Sequence, residues 1–270
     1  AKLLGGEREH IKGTVILLFQ PAEEAEHGGE KVVNTGMFEK YKIEKIFGLH
    51  TKQNMPVGTI AIAPGPFSAA VDRFLYTVKG MGCHGSAPQT GLDPIPAAAR
   101  LVGSLQEIVS RRISPTETAV ISVTRFTSGT SWNIIPETAR LEGTVRTFNP
   151  KVREQIVELM QAQAEGLERE GYQVEFTWIP GCPATNNDAE LAELVRKEAM
   201  EEGFHVTLQH PEMGGEDFSC YQELVPGAFF HVGTGGKYPA HNSKFTVDPA
   251  ALLGASKLMS EIVKKALKAS

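Results

Sequence analysis

Apolar residues along the chain change their period, and the changes divide it into three stretches. From Thr14 to Phe19 they run without interruption, β-branched and large, over a length that suits a buried strand. Gln20-Pro21 ends the run, because Pro21 has no N–H to give a sheet. Glu30 to Lys40 reads as a short helix with Val32, Val33 and Phe38 as its apolar positions. Lys45 to Leu49 reads as a strand ending at His50, and Thr59 to Ala63 as another. This is α/β texture. Pro64-Gly65-Pro66 breaks it and is the expected domain boundary.

A different order follows. Phe74, Tyr76 and Val78 alternate with polar residues as in a half-buried strand. Asp93-Pro94 opens a helix striped by Ile95, Ala98, Val102, Leu105 and Val109. Ile121 and Val123 mark a second strand; Ala139, Leu141 and Val145 mark a third, with Arg140, Glu142, Thr144 and Arg146 on its polar face. Asn149-Pro150 opens a helix with Val152, Ile156, Leu159, Met160 and Leu167 inward, and Tyr172, Val174, Phe176 and Trp178 alternate on a fourth strand. The order β-α-β-β-α-β predicts a ferredoxin-like unit, one antiparallel sheet with two helices on one face.

After Gly181-Cys182-Pro183 the α/β texture returns. Asp188 caps a helix that Gly203 stops, strands are expected around Val206 to Leu208 and Ala228 to Val232, and Asp248-Pro249 opens a last helix with Leu252, Leu253, Met259, Ile262 and Val263 facing inward. The pattern therefore predicts a discontinuous α/β domain over residues 1–67 and 179–270, interrupted by a unit over 68–178. At the start, Ala1-Lys2-Leu3-Leu4 followed by Gly5-Gly6 reads as the last turn of a helix with its glycine stop. One turn cannot nucleate itself, so the chain is expected to begin inside a helix whose upstream part is absent.

Composition narrows the function classes. The 270 residues are 41% hydrophobic and 22% charged, ordinary for a globular protein and long enough for two domains. A net charge of −5 without a basic run argues against a nucleic-acid partner. No apolar stretch reaches membrane-span length, so no membrane association is expected. Cys83, Cys182 and Cys220 are odd in number and form no CxxC, which suggests a reducing compartment, hence a cytoplasmic location.

Candidate chemistry gathers in loops and at strand ends. Glu23 and Glu24 follow the first strand, where an open α/β sheet usually places its chemistry, although a bare Glu-Glu pair also suits a solvated acidic loop. Side chains of adjacent residues diverge, so one carboxylate could bind a cation while the other faces what the cation binds. His50 and His241 also occupy strand ends or loops, and imidazole with carboxylate is the usual ligand set of zinc and related ions, although each taken singly also suits a surface or hydrogen-bonded residue. His10, His27, His205 and His210 read as solvated, and His231, inside an apolar strand, as a core histidine. His84 stands in a glycine-flanked loop that either approaches a ligand closely or is a plain turn. Asn133 and Arg146 could supply a polar donor and a carboxylate fork, or be a loop Asn and a surface Arg.

In one order along the chain stand Gln20-Pro21-Ala22-Glu23-Glu24, Phe47-Gly48-Leu49-His50, the glycine-flanked His84, Asn133-Ile134-Ile135-Pro136, Gly143-Thr144-Val145-Arg146, Gly214-Gly215-Glu216-Asp217-Phe218 and His241-Asn242. This set resembles the peptidase M20 family in its amidohydrolase branch, across essentially the whole chain. The resemblance implies a metallopeptidase-like α/β/α catalytic domain, N-terminally truncated, with an inserted ferredoxin-like α+β lid and dimerisation domain. It implies metal-dependent hydrolysis of the amide bond of N-acyl amino acids or small peptide-like substrates. Glu23 would be the general acid/base; Glu24, His50 and His241 would be ligands of a two-metal centre of zinc, manganese, cobalt or nickel. His84 would reach the site of a partner subunit in a homodimer and polarise the scissile carbonyl, with Asn133, Arg146 and Gly215 in the substrate-binding set. The family's Cys-Gly-His-Asp stretch, with two further ligands, is absent from this sequence. A peptidase or deacylase acting on another amide, and a non-catalytic dimerising or amino-acid-binding remnant, are the alternative readings.

Overall fold

The structure is a computed structural model that describes residues 1–24 and 28–268. It divides into two compact units, one of Ala1–Ser68, Thr185–Glu212 and Glu216–Ser270, the other of Ala69–Ala184 and Met213–Gly215.

The first unit starts with the short helix α1 (Lys2–Gly6), which takes in both glycines expected to stop it. Thr14 to Phe19 does not form the predicted strand. Among the described residues no strand pairs with it, and Phe19 is 85% exposed. A β-strand exists only through its neighbour's hydrogen bonds. Here the segment instead lines a cavity of about 780 Å³ together with Phe47, Leu49 and Met259. The predicted helix over 30–40 is two helices, α2 (Gly28–Val33) and α3 (Met37–Tyr41), broken where Gly36 takes a left-handed φ of 69°. Strand β1 (Ile46–Lys52) runs past His50 instead of ending there, and β2 is Thr59–Ile62. The Pro64-Gly65-Pro66 breaker is itself partly strand. Gly65, at φ 80°, turns the chain into β3 (Gly65–Ser68), and the unit boundary falls after Ser68.

The second unit begins with β4 (Ala70–Lys79) and β5 (Cys83–His84). Helix α4 (Pro94–Glu107) is capped by the Asp93 carboxylate, which accepts from the Ile95 N–H at 2.9 Å. Ile95 itself points outward, and Ala97, Ala98, Leu101 and Leu105 form the buried stripe. Then come β6 (Ala119–Ser128), β7 (Ile134–Ile135), β8 (Thr138–Thr147), α5 (Pro150–Arg169) and β9 (Gln173–Ile179). The sheet order is β6-β8-β4-β9, antiparallel throughout, with α4 and α5 burying Phe74, Tyr76, Val78, Leu141 and Val145 from one face. That is the ferredoxin-like arrangement.

The chain returns to the first unit through β10 (Thr185–Asn187), which pairs with β3, followed by α6 (Ala189–Glu201), β11 (His205–Leu208), α7 (Ser219–Gln222), β12 (Gly227–Gly233) and α8 (Pro249–Lys268). The main sheet runs β1-β12-β2-β11, with β1/β12 and β2/β11 parallel and β12/β2 antiparallel. Every residue of β12 is buried, so its two faces can be read by alternation. Ala228, Phe230 and Val232 pack on α6 and α8; Phe229 packs with Phe38, Phe67, Phe218 and Tyr221 on the other side, where α2, α3 and α7 lie. The unit is thus α/β/α in layers. In α8 the stripe is Ala251, Ala255, Leu258, Ile262 and Ala266. Leu252 and Leu253, predicted inward, are 55% and 61% exposed because they lie one and two residues off that 3.6-residue period.

Candidate active site

All of the groups around Glu23 belong to the first unit. Glu23 and Glu24 sit in a turn entered through Ala22, whose φ of 63° is left-handed for a residue with a Cβ. His241 has the same feature at φ 67°. Such backbone is retained only where its surroundings enforce it, and it concentrates at functional sites. His241 Nε2 lies 3.7 Å from Glu24 Oε2. His50 lies in β1, on the face shared with Ile46 and Gly48, and its Nδ1 is 2.8 Å from the Thr51 carbonyl. A carbonyl can only accept, so Nδ1 carries the proton and Nε2 presents its lone pair, the arrangement usual for a metal-ligating imidazole.

Two residues quoted in the sequence motif without a role are part of this site. Glu23, Glu216 and Asp217 each offer an oxygen, all within 4.8 Å of one another, and they are the group of three with metal-ligand potential among the described residues. Glu23 stands above its ordinary range because of partial burial and the charges of Asp217 and Glu24, while His50 and His241 pull it down. Glu216 is pushed from 4.5 to about 7, chiefly by burial, then by Glu23, Asp217 and Glu24; the Phe218 N–H donated to it at 3.3 Å acts the other way. Four carboxylates sharing one electrostatic neighbourhood, edged by two imidazoles, fit a divalent cation, whose charge would offset their repulsion. Glu24 and His241 are close enough to share an ion; His50 is not in the tight group of three.

His231 is in register with His50 on the neighbouring strand, buried, and lowered to about 4 by burial and the charge of Lys52. Its Nδ1 is 2.9 Å from Gln209 Oε1, and its ring lies against Phe67 with centroids 4.7 Å apart. It is a satisfied core histidine, as its apolar strand suggested. His10, His205 and His210 are exposed, and His27 lies outside the described residues.

The other predicted residues belong to the second unit. β5 and β7 pair so that Cys83 and His84 oppose Ile135 and Ile134, and the Gly85 N–H donates to the Asn133 carbonyl at 2.9 Å. His84 and Asn133 are thereby brought together. The Ser86 N–H donates to His84 Nδ1 at 3.2 Å, which puts the proton of the neutral ring on Nε2. Arg146 is half-buried on β8, its guanidinium bonded to Thr144 Oγ1 and to the Val145 carbonyl. At Gly215 a Cβ would come within 2.3 Å of Val71, so close packing alone demands glycine there.

The N-acetylcysteine deacetylase of Bacillus subtilis (strain 168) is 43% identical over 263 residues, 97% of this chain and 69% of that protein. The N-acetyldiaminopimelate deacetylase of Bacillus pumilus (strain SAFR-032) is 34% identical over 260 residues, 95% of this chain and 69% of that protein. Among solved structures, the Bacillus subtilis YXEP protein, described as a dinuclear metal binding peptidase from the M20 family, superposes with a TM-score of 0.84 at 39% identity, covering 98% of this chain and 68% of that one. The chain thus spans about two thirds of the length of these relatives. The model of peptidase family M20/M25/M40 matches residues 2–265, and with relatives of the amidohydrolase branch this closely aligned, the chain belongs to that family.

Proposed function

We propose that this chain carries a large part of a metal-dependent hydrolase that cleaves the amide bond of N-acyl amino acids. The observation that carries the reading is the Glu23–Glu24 turn, set against His241 on one side and the Glu216–Asp217 carboxylates on the other. The names of relatives that remove acetyl groups from cysteine and diaminopimelate support the substrate class.

Glu24, His50 and His241 would hold divalent metal, two ions per complete site, with zinc, manganese, cobalt and nickel all compatible with carboxylate and imidazole. Such an ion supplies Lewis acidity toward the scissile carbonyl and makes water nucleophilic near neutral pH. Glu23 would take a proton from the attacking water at a carboxylate oxygen and return it to the leaving amine. His84 donates from Nε2 to the oxyanion, a role that the Ser86 N–H at Nδ1 supports by selecting the tautomer. Arg146 takes the substrate carboxylate, and Asn133 and Gly215 line the acyl amino acid. The inserted unit is read as a lid and dimerisation domain through which His84 completes the site of a partner subunit. The half-buried Cys83, Cys182 and Cys220 form no disulfide among the described residues, which is compatible with a cytoplasmic location, and no described helix is long and apolar enough to cross a membrane.

Glu23→Gln tests the reading. In the complete enzyme it is expected to keep fold and metal content while turnover of an N-acetyl amino acid falls by about 10²–10⁴. Near-normal turnover would remove Glu23 from its role. The shared site has its own test: in the full-length enzyme, mixing inactive His84→Ala with inactive Glu23→Gln restores part of the activity after subunit exchange. Verified mixed dimers that stay inactive would make the lid a simple cover.

A further inference from the structure

One carboxylate oxygen of Asp217 holds both ends of the segment that carries Glu23 and Glu24. Gln20 Nε2 donates to Asp217 Oδ2 at 2.7 Å from the near end, and the Gly29 N–H donates to the same oxygen at 2.7 Å from the far end. The first contact spans 197 residues of sequence and the second 188. Gln20 is fixed at its other end too, since the Tyr221 hydroxyl donates to its Oε1. Between these ties the Gly28 N–H donates to the Ala22 carbonyl at 3.2 Å. Both glycines are required by the closeness of the approach. A Cβ at Gly28 would stand 2.0 Å from the Pro21 carbonyl, and one at Gly29 would stand 2.5 Å from the Asp217 carbonyl.

The anchor is buried and packed on several sides. Asp217 is 5% exposed, its carbonyl accepts from the Cys220 N–H at 3.0 Å, and the Phe218 ring packs 4.9 Å from Phe229 of β12. Tyr221 is buried against Phe38 and Phe218 at centroid distances of 5.5 and 6.0 Å. With two donors, Oδ2 has both of its lone-pair directions in use.

We propose that Asp217 is a positioning residue: it staples Gln20 to Gly29 and so sets the Glu23–Glu24 turn for proton transfer and metal ligation, acting together with Gln20 and Tyr221. The proposal rests on the hydrolase reading above for its consequence in turnover, but its structural core does not. An asparagine in the same place keeps one oxygen for both donors, whereas alanine keeps none. Positioning therefore predicts that Asn substitutes for Asp. A role as metal ligand or proton carrier predicts that Asn fails about as badly as Ala.

The test compares Asp217→Ala, Asp217→Asn and Tyr221→Phe in the full chain. Hydrogen exchange of peptides covering residues 15–33 is expected to speed up about 10- to 100-fold in Asp217→Ala, while peptides from α8 and β4 stay unchanged. Asp217→Asn should hold exchange within about 3-fold, and Tyr221→Phe should fall between the two. In a preparation whose unsubstituted form turns over an N-acetyl amino acid, Asp217→Ala should lower kcat at least about 10-fold with KM nearly constant, and Asp217→Asn should recover most of it. Unchanged exchange in Asp217→Ala, or equal damage by Asn and Ala, would overturn the proposal. If the full-length enzyme that contains this chain shows no turnover, the hydrolase reading fails while the exchange arm still decides the staple. If Asp217→Ala does not fold, Gln20→Ala, which cuts one end only, must show the same local exchange or the proposal falls.

Discussion

Two buried aspartates show how differently the two units treat a negative charge. Asp72, on an inner strand of the ferredoxin-like sheet, is 2% exposed and meets Arg153 in a two-pronged pair, Nε at 2.8 Å and Nη2 at 2.5 Å, with the Gly181 N–H at 3.1 Å. Asp217 is as deeply buried, yet among the described residues it pairs with no Lys or Arg. Its hydrogen bonds come from an amide and a backbone N–H, and oxygens of Glu23 and Glu216 lie within 4.8 Å. The first aspartate is neutralised by the chain itself. The second stands in a group of like charges that coexist only by holding protons or gathering round a cation. Among the described residues the carboxylate group suited to a cation lies in the first unit, whereas the buried Asp72 of the inserted unit is already paired.

The contrast can be broken most severely from the Asp72 side. Arg153→Met leaves a buried carboxylate with one N–H for company, and it should cost about 3–5 kcal/mol in denaturant unfolding of the inserted unit. A loss under 1 kcal/mol would mean that solvent reaches Asp72 after all. A divalent cation should act only on the other region. At 100 times its Kd it should stabilise the first unit by about 2.7 kcal/mol, an effect that Glu24→Ala weakens and Arg153→Met leaves intact. Equal metal stabilisation with and without Glu24 would remove Glu24 from the ligand set.

Glu216 sharpens the contrast by pH. Its pKa in the folded chain, about 7, lies above the ordinary 4.5, so between those values the folded state binds a proton that the unfolded state has released. The contribution is full below about 4.5 and is lost as pH rises through 7. In chelator, raising pH from 5 to 8.5 should cost on the order of 2 kcal/mol, and Glu216→Gln should not show that loss. Parallel profiles for the two proteins would place the repulsion elsewhere. The smallest effect belongs to the half-exposed pair of Lys52 and Glu212, where Lys52→Ala should change stability by less than about 1 kcal/mol.

Local periodicity determined much of this protein unaided. The strand and helix order of the inserted unit was legible because each half-buried strand alternates and each helix stripes, as Phe74-Tyr76-Val78 and Val152-Ile156-Met160 do. Asp93, Asn149 and Asp188 announced their helices because a cap is a contact of two or three residues. Glu23, Glu24, His50 and His241 were visible as residue types suited to metal, standing at strand ends or in loops.

Pairing and long-range contact were decided only in three dimensions. Thr14 to Phe19 has every local mark of a strand, but a strand needs a partner and pairing is not written in its own residues. Leu252 and Leu253 have the composition of a core face, but the turn of α8 that meets the sheet selects Ala251, Ala255 and Leu258 instead. Asp217 carried no sign of its role. The two donors that its Oδ2 joins lie nearly two hundred residues away in sequence, so only folding brings Gln20, Gly29 and the carboxylate within hydrogen-bond reach. Side-chain type and spacing are local quantities; the electrostatic neighbourhood that raises Glu216, and the hydrogen bonds that join Gln20 and Gly29 to Asp217, are properties of the assembled fold.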